Sequence, residues 1–139
     1  MFNKKQKKFE RELNKILTTT GLLKAAIAGD QDTLKAMATG HGADTEGISF
    51  ALETLIMVAH RNPAVISDLR EMRQDMPPKA LTAFITGISA AEIGNVRDFQ
   101  GDNVVGQAIF IIALATLIAD DHDALADAMA TVMEYSQEN

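Results

Sequence analysis

Four consecutive residues, Asp120, Asp121, His122 and Asp123, bring three carboxylates and an imidazole, all metal-ligand and proton-transfer side chains, into one place. Carboxylates beside an imidazole can hold a divalent ion, or share acid and base roles in hydrolysis. Their spacing argues for something simpler. Four adjacent residues at a helix junction point in different directions, and no second ligand pair of the HExxH kind stands elsewhere. Aspartates ahead of an apolar helical run instead accept hydrogen bonds from the free N–H groups of the first turn, at the positive end of the helix dipole. The cluster is expected to be a helix cap and an acidic surface. A metal-dependent enzyme built on 120–123 is the alternative.

The other candidates for chemistry lack partners of the required type. His41 lies between Gly40 and Gly42, and His60 precedes Arg61 near a helix end, where the dipole favours a cation. Ser89 falls in GISAA (87–91), without the second glycine or the preceding strand of a nucleophile elbow. Gly40, Gly42 and Gly47 have neither the lysine nor the spacing of a phosphate loop. No catalytic, cofactor-binding or metal residue is assigned, so the chain is expected to be neither an enzyme nor the holder of a cofactor.

Charge is divided by position. Residues 1–24 hold seven cations (Lys4, Lys5, Lys7, Lys8, Arg11, Lys15, Lys24) against Glu10 and Glu12, a balance of +5. Residues 98–139 hold eight carboxylates and no Lys or Arg, a balance of −8. The acidic third, through Asp120, Asp121, Asp123, Asp127 and Glu134, suits a basic protein partner, as in immunity proteins, antitoxins, inhibitors and secretion chaperones. It also suits head-to-tail association with the basic end of a second copy, giving a homo-oligomer. An overall charge of −6 disfavours general nucleic-acid binding.

The elements that must carry these residues are helical. Among 139 residues the hydrophobic share is 47% and the aromatic share only 5%, so the core is built from Ala, Leu, Ile, Val and seven Met, mostly good helix formers. Apolar residues recur at three- and four-residue spacing and do not alternate. Phe2, Phe9, Leu13, Ile16 and Leu17 predict a basic amphipathic helix within 1–20 whose apolar stripe faces the core. The same helix could instead lie on an anionic membrane or touch nucleic acid through its lysines. Gly21 separates it from a second stretch. Asn62 with Pro63, Pro77 with Pro78, and the DDHD turn punctuate the helices that follow, and 40–47 is the clearest loop. The run 108–119 is too short for a membrane span, which needs roughly 20 residues. It predicts a central buried helix, in which Ile112→Asp should unfold the protein. Leu125, Ala128, Met129, Val132 and Met133 predict the inner face of the last helix.

Turn-like segments recur near residues 27, 58, 88 and 118, about 30 residues apart, as in arrays of helical hairpins. LLKAAIAGDQDTLKAM followed by HGAD resembles one ankyrin unit, although the Thr-Pro-Leu-His opening of such units is missing. The chain is thus expected to be one all-α domain, 1–139, of seven or eight helices. An irregular array of antiparallel hairpins is favoured, with a closed bundle as the alternative. The lack of cysteine and of a signal sequence points to the cytoplasm. A weak membrane-surface contact of the N-terminal helix stays open.

Overall fold

The computed structural model describes residues 2–39, 45–96 and 104–138. These form seven α-helices and no strand: α1 (Phe2–Ala28), α2 (Gln31–Ala38), α3 (Thr45–Arg61), α4 (Pro63–Arg73), α5 (Pro78–Ile93), α6 (Val104–Asp120) and α7 (His122–Glu138). His41, with Gly40 and Gly42, lies outside the described residues, as do Asp98 and Asp102.

α6 is the hub. Its sequence is apolar on every side, and a helix of that kind must be surrounded. It touches each of the other six helices, which pack around it largely as antiparallel hairpins. Phe110, Leu114, Ala115 and Ile118 are wholly buried, whereas Ile112 is only half-buried. The centre of the core is therefore the Phe110–Leu114–Ile118 line rather than Ile112. Phe110 meets Phe84 of α5 edge-to-face, with ring centroids 5.3 Å apart. Gly87, one turn after Phe84, leaves the space that the tip of the Phe110 ring fills.

α1 runs unbroken through Gly21, contrary to the break expected there. Thr18, Thr19 and Thr20 are poor helix formers, but each hydroxyl donates to the carbonyl four residues earlier: Asn14 at 2.7 Å, Lys15 at 3.0 Å and Ile16 at 2.9 Å. This satisfies Thr19, which is fully buried. A Cβ on Gly21 would stand 2.8 Å from Met37 Cε, the movable end of a side chain of α2. The helix ends at Gly29 (φ 69°), where the Gly29 N–H bonds to the Ala26 carbonyl and the Asp30 N–H to the Ala25 carbonyl. This left-handed closure is one that glycine favours. Asp30 then caps α2 through the Thr33 N–H (3.1 Å) and hydroxyl (2.6 Å), which hold its carboxyl below the ordinary value.

α3 and α5 are tied at their C-terminal ends. His60 Nδ1 donates to the Ala91 carbonyl at 3.0 Å, and its ring lies against Gly94, whose φ of 78° ends α5. His60 is thus a staple between two helix ends. Among the described residues, no buried side-chain polar atom lacks a hydrogen-bond partner, as a settled core requires.

Candidate interaction surfaces

The DDHD turn behaves as its spacing suggests. Asp121 is the N-cap of α7, its Oδ1 accepting from the Ala124 N–H at 3.0 Å. Asp120, His122 and Asp123 point to solvent, and the His122 and Asp123 side chains are almost fully exposed. Among the described residues, no three His, Asp or Glu side chains converge as an ion would need.

α7 is rotated from the expected register. Its inner face is Ala124, Ala128 and Val132, all buried, with Leu125 half-buried. Met129 and Met133, expected inside, are 41% and 59% exposed. Small residues let α7 approach its neighbours closely, and this outweighs the larger apolar surface of the two methionines.

The rotation turns Asp127 toward the body. Arg61, the last residue of α3, grips it with two parallel bonds, Nε to Oδ2 at 3.0 Å and Nη2 to Oδ1 at 2.9 Å. Arg61 Nη2 also donates to the Thr131 hydroxyl at 2.7 Å. Asn62 Nδ2 donates to Asp127 Oδ2 at 3.0 Å and to the Val58 carbonyl at 2.7 Å. Asn62 therefore occupies the N-cap position of α4 without spending its side chain on the cap. Asp127, read from sequence as part of an unneutralised edge, is an internal clamp between α3 and α7. Its partner is 66 residues away, so no local spacing could reveal it. Asp120, Asp123 and Glu134 remain as exposed carboxylates. Among the described residues none of them has a lysine or arginine within 4 Å, and His122 Nδ1 stands 3.9 Å from Asp123 Oδ1.

The far end of α7 meets α1. The Tyr135 hydroxyl donates to Glu12 Oε2, and Lys15 lies 3.5 Å from Glu12 Oε1. The Tyr135 ring packs on Phe50 with centroids 4.5 Å apart. Beside this contact is an open depression of about 350 Å³ lined by Lys15, Glu46, Ser49, Phe50 and Glu53.

A second surface departs further from expectation. Phe9, Leu13 and Leu17 are 67%, 40% and 54% exposed. The inner side of α1 is instead Thr19, Leu22, Leu23, Ala25 and Ala26. Of the stripe predicted to face the core, Phe9, Leu13 and Leu17 face away from it, Ile16 is half-buried and the Phe2 side chain lies outside those described; residues 4–11 are exposed on every side. No described helix is long and apolar enough to cross a membrane.

The chain matches no protein-family model, no curated protein and no solved structure.

Proposed function

We propose that this chain is a non-enzymatic interaction protein that takes a basic protein partner on the acidic edge made by the α6–α7 turn and the outer side of α7. The observation that supports the reading most is the set Asp120, Asp123 and Glu134. All three are exposed on a stretch, 104–138, that contains no lysine or arginine. Asp121 adds a half-exposed carboxylate beside them. Uncompensated charge of one sign steers an oppositely charged partner and rejects anionic competitors. Asp127 belongs to the fold, through Arg61, and not to the recognition surface.

The test is affinity capture from the source cells at low and high salt, followed by titration of the captured protein against two forms of the chain. Asp120→Lys, Asp123→Lys and Glu134→Lys are combined in the second form, and Asp127 is left intact so that stability is unchanged. The expected result is a stoichiometric basic protein, released at high salt, whose affinity falls at least roughly tenfold for the triple variant. An equal affinity and an equal salt dependence would remove the proposal.

A further inference from the structure

We infer that α1 is a membrane-surface helix, its outward apolar stripe and its basic arm together fitting an anionic lipid headgroup layer. Phe9, Leu13 and Leu17 succeed one another at four-residue spacing, and Ile27, 61% exposed, lies five full turns beyond Phe9 on the same line. From Phe9 to Leu17 the stripe runs roughly 12 Å along α1, at 1.5 Å per residue, and Thr20 and the exposed Lys24 share that side before Ile27. A helix packed on a globular body normally places charged residues on that outer side.

The cations complete the pattern. Lys4, Lys7, Lys8, Arg11 and Lys15 share the opposite side of the helix, by their three- and four-residue spacing. All but Lys15, which pairs with Glu12, lie on the arm that is exposed all round. A helix with Phe and Leu on one side and Lys and Arg on the other is the pattern that lies in a headgroup layer.

Other occupants would use only half of it. Nucleic acid engages phosphates with cations and leaves an apolar stripe without a role. A second copy docking on the stripe, against Met129 and Met133 for instance, would leave the five cations facing away from the contact. An anionic lipid surface uses both sides. Apolar side chains enter the acyl boundary, and the long Lys and Arg stems carry their charges back to the phosphates. The DDHD turn opposes this contact little. It lies at the opposite end of α7 from Tyr135, roughly 20 Å along that helix. That exceeds the Debye length of about 8 Å at physiological ionic strength. Only Glu134 of the acidic edge lies near the level of Glu12.

The experiment is flotation of the full chain with vesicles of phosphatidylcholine alone and with 30% phosphatidylglycerol, at physiological salt. The account expects at least tenfold stronger partitioning to the anionic vesicles. It expects a loss of at least tenfold for Leu13→Glu with Leu17→Glu, and a similar loss for Lys4→Glu with Lys7→Glu and Lys8→Glu. Phe9→Glu, on the free arm, serves as the stripe variant if the double change alters the circular dichroism spectrum. Three results would overturn the inference: no flotation of the unaltered chain, equal flotation of the stripe variant, or oligomers that Leu13→Glu dissolves in the absence of any flotation.

Discussion

Leu114→Asp leaves the chain without a cooperative unfolding transition at 25 °C. Leu114 is wholly buried at the middle of α6, the helix that all six others touch. Removing a buried leucine side chain costs about 2–5 kcal/mol in transfer and cavity terms. A carboxylate there has no cation within the core, and burying it uncompensated adds several kcal/mol more. Together these approach the total stability of an ordinary domain, roughly 5–15 kcal/mol. Ile112→Asp is the contrast. Ile112 is half-buried, so its replacement reaches water, and this variant is expected to fold with a lowered melting temperature. Thermal melts of the two variants check the register of α6. Equal behaviour would contradict it.

Gly87→Ala destabilises by roughly 1–3 kcal/mol, in the range of overpacked cores, although helix propensity alone would favour alanine by about 1 kcal/mol. Gly87 is buried in α5, and the Cβ of an alanine would overlap the end of the Phe110 ring. Phe110 cannot swing aside freely, because it is itself fully buried and set edge-to-face on Phe84. Gly21→Ala isolates the other term. There the Cβ meets only the terminal methyl of Met37, a half-buried, flexible side chain. Gly21→Ala is therefore expected to be neutral or stabilising by up to about 1 kcal/mol. Denaturant melts that place both variants on the same side of the unaltered chain would refute the packing described at Gly87.

Much of the fold was legible because short-range chemistry sets it. Pro63 and Pro78 each fall in the first turn of a helix, Asp121 caps α7, and α6, apolar but for Gln107, Thr116 and its last residue Asp120, had nowhere to go but the centre. The misread elements depend on partners far along the chain. Gly21 looked like a break in α1, but the helix runs through it, with the Thr18, Thr19 and Thr20 hydroxyls bonded back to carbonyls one turn earlier. Phe9, Leu13 and Leu17 showed a helical stripe, and periodicity reveals that a stripe exists without saying on which side the body lies. In α7, Met129 and Met133 are more hydrophobic than Ala124 and Ala128, yet close helix approach selects the alanines. Of the acidic residues singled out, Asp120, Asp123 and Glu134 are exposed. Asp121 is spent on a cap and Asp127 on Arg61.

Both proposed surfaces rest on which sides of α1 and α7 face outward, and the absence of cysteine makes that directly measurable. Leu17→Cys, Leu23→Cys, Val132→Cys and Met133→Cys, each made alone, would be labelled with a water-soluble maleimide under native conditions. The account requires Leu17→Cys and Met133→Cys to react at nearly the rate of an unfolded peptide. Leu23→Cys and Val132→Cys should stay protected until the protein unfolds. Protection at position 17 with free reaction at 23 would remove the α1 surface, and protection at 133 with free reaction at 132 would remove the acidic edge of α7.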